Sequence, residues 1–159
     1  MNKPDYRVYE RFAHRFSSVT KKMGKEQYLL PYYISSHPGS TLDDAIELAL
    51  KLKQQRFIPE QVQDFYPTPG TVSTCMYYTG INPMTKKPVY VATTPKEKAM
   101  QRALLQFHNK RNWPLVREAL KEAGREDLIG RGPQCLVPEA QPSGPKPGRR
   151  GVKRPRSNR

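Results

Sequence analysis

The sequence has 159 residues, 36% of them hydrophobic, with 16 prolines and a formal net charge of +14 from 28 Lys+Arg against 14 Asp+Glu. That length supports one modest hydrophobic core and is short for two, and no apolar run approaches the ~20 residues a membrane-spanning helix needs. The densely charged start argues against a secretory leader, and only two cysteines, Cys75 and Cys135, argue against a disulfide scaffold.

In chain order, Tyr6 to Lys25 carries Val8, Phe12, Phe16 and Val19 at helical spacing, with Gly24 as its stop. Tyr28–Ile34 has strand composition, interrupted by Pro31, which cannot donate to a ladder. A polar loop, Ser35-Ser36-His37-Pro38-Gly39-Ser40, leads into a helix capped by Ser40 with Asp43 or Thr41 with Asp44. Leu42, Ala45, Ile46, Ala49 and Leu52 line its inner face. Gln61–Tyr66 alternates like a strand and ends at Pro67-Thr68-Pro69-Gly70-Thr71. Strand, helix and strand in this order predict a βαβ unit with parallel strands. The loops leaving both strands then share one edge, where α/β folds bind ligands.

Beyond Gly80, residues 81–88 read as a turn-rich connector and Val89–Val91 as a short extended piece. Thr94-Pro95-Lys96-Glu97 is a capping box with proline at the first helical position. Its helix presents Met100, Ala103, Leu104 and Phe107. A second helix starts near Asn112-Trp113-Pro114, with Leu115, Val116, Ala119, Leu120 and Ala123 inward and Gly124 as its stop. Trp113 is expected to anchor that start. The two helices form a hairpin, closed by a turn at 126–129 and the loop 130–138. From Glu139 on, seven Lys/Arg and one acid contribute +6 in a Pro/Gly-rich tail expected to be disordered.

The candidate site is the pair of rim loops. Ser35, Ser36, Gly39 and Ser40 come from the first, and Thr68, Gly70 and Thr71 from the second. Gly39 permits close backbone approach, and Ser40 can cap the helix or meet an anionic group. His37 is the weaker candidate for acid–base work, since no carboxylate partner is identifiable in the sequence. Asp64 points either inward or to solvent, and Tyr77 and Tyr78 either cover the pocket mouth or pack. Both cysteines are expected to be reduced and structural. No CxxC or HxxxH spacing suggests a metal site.

The run YLLPYYISSHPGSTLDDAIELALKLKQQRFIPEQVQDFYPTPGTVSTCMYYTG closely resembles the last part of the radical SAM core of YgiQ-type proteins. KEKAMQRALLQFHNKRNWPLVREALKEAGREDLIGRGPQCLVP is similar to the C-terminal domain that accompanies that barrel, and NKPDYRVYERF to the helix preceding the late barrel strand that HPGST follows. The resemblance implies an α/β fold: a partial radical SAM-type barrel with one parallel βαβ unit over 1–80, a helical domain over 81–138 and a basic tail over 139–159. It also implies S-adenosylmethionine and a [4Fe–4S] cluster, with Ser35, Ser36, Gly39, Ser40, Thr68, Gly70 and Thr71 on the rim of the S-adenosylmethionine or substrate pocket. The cluster-binding CxxxCxxC loop of that family is absent from this sequence, and Cys75 matches a position outside it.

The expected function is therefore that of a C-terminal fragment of a cytoplasmic radical SAM enzyme, inactive alone, whose partner is the missing N-terminal part. Residues 1–80 are expected to have poor autonomous stability and the hairpin to fold more robustly. The alternatives are a small basic module that binds nucleic acid or another polyanion nonspecifically through 139–159, and the non-functional product of a split gene.

Overall fold

Helix α1 spans Tyr6–Lys22 in the computed structural model, which describes residues 5–140. Asp5 caps it by accepting the Arg7 backbone N–H at 2.9 Å. Its apolar stripe faces outward: Val8, Phe12 and Val19 are 43%, 56% and 47% exposed. The helix is held at Tyr6, whose hydroxyl accepts from Gln55 Nε2 at 3.1 Å and whose ring lies under Lys51 Nζ at 5.1 Å.

Strands β1 (Tyr33–Ser35) and β2 (Val62–Asp64) pair in parallel, with Tyr33 opposite Val62 and Ser35 opposite Asp64. Both are shorter than the apolar runs suggest. β1 begins only after Pro31, and Tyr28, Leu30 and Tyr32 stay exposed. Within the described residues each strand has one neighbour, so nothing extends the ladder along the rest of either run.

Helix α2 (Leu42–Gln54) crosses between the strands. Of the two capping pairs the sequence allows, the structure forms Thr41 with Asp44. The Thr41 hydroxyl accepts the Asp44 N–H at 3.2 Å, and Asp44 accepts the Thr41 N–H at 2.8 Å. Ser40 therefore does not cap the helix. The Asp44 carboxylate occupies the electropositive end of the helix.

A further helix, α3 (Val72–Thr79), follows the second rim loop directly, where no helix was expected. It is only eight residues long and lacks charges, so its period is hard to read, although Thr71 caps it and Gly80 ends it at φ +64°. Residues 81–88 turn back through a bridge between Ile81 and Pro88. Val89–Val91 is extended but joins no strand: the Val89 N–H donates to Gly80 O, and Tyr90 O accepts the Gly39 N–H at 2.7 Å.

Helix α4 (Pro95–Leu105) opens with the expected Thr94/Glu97 capping box, and α5 (Trp113–Glu122) follows a short 3₁₀ turn. The core gathers Ala45, Ile46 and Ala49 of α2 with Met100, Ala103 and Leu104 of α4 and Val116, Ala119 and Leu120 of α5. Leu128, Leu136 and Val137 close it from the C-terminal segment, where Ile129 bridges to Val137. The fold is a helix-rich α/β arrangement of five α-helices and a two-stranded parallel sheet among the described residues. The expected basic tail lies outside them from residue 141 on.

Candidate functional site

The parallel register sets both strand exits on one edge, as the βαβ order requires. The Phe65 N–H donates to Ser35 O at 2.8 Å, continuing the pairing one step past β2. The Ser35 hydroxyl donates to Asp64 Oδ1 at 2.7 Å, and Arg102 of α4 holds the other carboxylate oxygen at 2.6 Å. Asp64 thus points neither to open solvent nor into an empty interior, but ties the two strand ends to α4.

Ser36 and His37 are buried, at 2% and 7% exposure, although both are polar. The His37 ring ties the first loop to the start of α3. Its Nδ1 donates to Pro38 O at 2.8 Å, because a carbonyl can only accept, and Nε2 meets the Ser73 hydroxyl at 3.0 Å. Phe65 stands edge-on to the imidazole at 5.0 Å and Tyr77 packs on Phe65 at 5.6 Å. Tyr77 is a packing residue as well as a rim residue, for Lys98 Nζ donates to its hydroxyl at 2.8 Å. Tyr78 is 74% exposed.

Ser36 adopts φ +57°, in the left-handed region that few non-glycine residues enter. Its N–H donates to Gln101 Oε1 at 3.1 Å, while its buried hydroxyl has no hydrogen-bond partner among the described residues. A pocket of about 110 Å³ opens beside it, bordered by Ser35, Ser40, Leu48, Gln101 and Leu105. Gly39, at φ +90°, brings its N–H against Tyr90 O, a conformation that side-chain-bearing residues rarely adopt.

The second loop is more open. Thr68, Gly70 and Thr71 are exposed. Thr68 O accepts from the hydroxyls of Thr71 at 3.0 Å and Thr74 at 2.7 Å, and Thr71 caps α3. It is Ser73, rather than any of these three, that reaches the first loop. Between the first loop, α3 and the 82–89 segment lies a cavity of about 370 Å³, lined by Pro38, Gly39, Ser73, Met76, Asn82 and Val89, within the size range of small-molecule sites.

Trp113 begins α5 as expected, its indole N–H donating to Phe107 O at 3.0 Å. Cys75 is exposed on α3, and Cys135 is half-buried beside Gly130 and Gly132. Among the described residues no three His, Cys, Asp or Glu side chains are grouped to hold a metal ion. No helix among them is long and apolar enough to cross a membrane.

Sequence reading missed three site residues. Ser73 needs helix α3 to be known. Gln101 and Arg102 lie more than 35 residues from the groups they bind, and a polar pair on an amphipathic helix reads as its solvated face.

A parallel βαβ unit whose rim is braced by a following helical layer defines an α/β domain with its loops gathered at the strand exits. The chain belongs to the family described as "Domain of unknown function (DUF3362)", whose model matches residues 60–159. It is 57% identical over 142 residues to a UPF0313 protein of Clostridium botulinum (strain ATCC 19397 / Type A), a match covering 89% of this chain and 22% of that protein. It is 55% identical over 137 residues to UPF0313 protein CPE1196 of Clostridium perfringens (strain 13 / Type A), covering 86% and 21% respectively. The chain thus corresponds to a fragment of a UPF0313 protein, spanning about 22% of the length of such relatives. No solved structure matches it.

Proposed function

We propose that this chain supplies the last part of a radical SAM barrel and its accompanying helical domain, and that it works only together with the remainder of a UPF0313 protein. The observation that carries this reading is the parallel β1–α2–β2 unit whose first exit loop is tied by His37 to Ser73 in the first turn of α3, directly after the second exit loop, in a chain 57% identical to part of such a protein. Residues 1–80 then belong to the barrel and 81–138 to the helical domain. Ser35, Ser36, Gly39, Ser40, Thr68, Gly70 and Thr71 lie at the rim of the S-adenosylmethionine or substrate pocket.

The residues fit the two implied groups differently. The buried Ser36 hydroxyl, without a hydrogen-bond partner among the described residues, borders the 110 Å³ pocket, while Pro38 and Gly39 of the same loop border the separate 370 Å³ cavity; polar groups and space on the two sides of this loop suit a small polar ligand such as S-adenosylmethionine. A [4Fe–4S] cluster needs converging thiolates, and Cys75 on α3 and Cys135 in the C-terminal segment do not provide them. In this reading the cluster ligands belong to the rest of the full-length protein.

The test is to produce this chain with the preceding portion of the C. perfringens UPF0313 protein as a separate polypeptide. A stable complex that binds S-adenosylmethionine, more weakly after Ser36→Ala, is the expected result. A complex that forms but does not bind it overturns the reading. So does a stoichiometric iron–sulfur cluster on this chain alone after anaerobic reconstitution.

A second reading is favoured by the charge of +14 alone: nonspecific polyanion binding through 139–159. Affinity for a random-sequence RNA then falls steeply with salt and drops when 139–159 is deleted. Affinity insensitive to both excludes it.

A further inference from the structure

Helix α4 lies outside both rim loops, yet one of its faces touches the first loop, the end of β2 and α3. Lys98, Gln101, Arg102 and Leu105 recur at i, i+3, i+4 and i+7, the spacing of a single helical face. Lys98 donates to the Tyr77 hydroxyl of α3 and lies 5.0 Å from its ring centroid. Arg102 holds Asp64 at the end of β2. Leu105 borders the pocket beside Ser36.

Gln101 is the centre of this face. It is 2% exposed, and its amide spans the first loop: Oε1 accepts the Ser36 N–H at 3.1 Å and Nε2 donates to Ser40 O at 3.0 Å. Only one orientation of the amide satisfies both, since one partner can only donate and the other only accept. The two bonded backbone groups flank His37, Pro38 and Gly39, so their separation fixes the loop. The first of them belongs to Ser36, whose left-handed backbone is uncommon outside glycine and requires support from its surroundings.

We propose that Gln101 is a positioning residue that holds the Ser36–Ser40 loop in its ligand-binding shape, so that one face of α4 templates this loop. The importance of that shape rests on the function proposed above, whereas the clamp itself is a property of this chain. α4 is then part of the site's construction, and the helical layer is no mere appendage to the strands.

Amide hydrogen exchange on the full chain tests this, residue by residue. Gln101→Met keeps the volume and removes both hydrogen bonds. Exchange at the amides of Ser36, His37, Gly39 and Ser40 is expected to accelerate by about tenfold or more, while the amides of Leu104, Val116 and Leu120 keep their protection. Adding Ser36→Gly, which accepts the left-handed backbone without support, is expected to return the loop toward its original protection. Unchanged loop exchange in Gln101→Met overturns the proposal. Loss of protection throughout the α4–α5 core overturns it too, because Gln101 is then only a packing residue. Failure of Ser36→Gly to restore the loop does the same. The readout involves no cofactor, so these outcomes are independent of whether S-adenosylmethionine binds the reconstituted protein.

Discussion

Helices α1 and α2 have similar amphipathic patterns and opposite fates. The apolar face of α2 meets α4 and α5, and Ile46, Ala49 and Leu52 are at most 1% exposed. The apolar face of α1 meets little of this chain, leaving Phe12 at 56% and Val19 at 47% exposure. An amphipathic stripe stabilises a fold only through the surface that covers it, since the gain scales with apolar area removed from water. The contrast also cuts across the strand-containing and helical halves of the sequence, because α2 shares one core with α4 and α5.

The comparison breaks most directly at the core. Leu104→Ala, at a fully buried position in the cluster joining α2, α4 and α5, is expected to cost about 2–5 kcal/mol in urea unfolding. A smaller loss would mean that α2 and α4 are not packed as described. Thr94→Ala, which removes the α4 cap, is expected to cost about 1 kcal/mol.

Two pH effects follow with definite signs. Glu97 is held below the usual carboxylate range, chiefly by accepting the Thr94 backbone N–H and then the Thr94 hydroxyl. Its stabilising contribution is complete above the ordinary glutamate range and is lost as pH falls through its lowered value. The stability gap between wild type and Glu97→Gln should therefore shrink on acidification. Tyr33, the first residue of β1, has its phenol pushed up to about 12, first by burial and then by Tyr6 and Tyr9. A raised phenol favours the folded state below its ordinary value and loses that contribution as pH climbs toward 12. Tyr33→Phe should lack that alkaline decline, and ultraviolet titration of tyrosinate should register the late-titrating phenol in the wild type.

The smallest effect is expected on α1. Phe12→Ser should change the stability of this chain by no more than about 0.5 kcal/mol, while weakening a complex with the rest of a UPF0313 protein. A large loss in the isolated chain would show that the stripe is covered after all.

Much of this organisation is legible in the residues. Asp44 three positions after Thr41, and Glu97 three after Thr94, announce two helix starts, and strand–helix–strand order predicts parallel pairing. The rest resists reading for physical reasons. Pro31 shortens β1, and a pattern of side chains cannot say where a ladder stops if the neighbouring strands are unknown. Val72–Thr79 is too short and too evenly apolar to declare its period. Leu136 and Val137 stand in a Pro/Gly-rich segment that resembles surface loop, yet each is at most 6% exposed because the chain folds back beside Ile129.

The sequence by itself determined most local decisions: the α4 cap, a short choice of caps for α2, the faces of the longer helices and the common edge of the two exit loops. These depend on groups within a few residues of one another or on chain connectivity. Tertiary structure alone decided what those loops become. The Gln101 clamp, the Arg102–Asp64 pair and the His37–Ser73 bridge join residues 65, 38 and 36 positions apart. Such partners are selected by packing in space, and their hydrogen bonds leave no periodic trace in the chain.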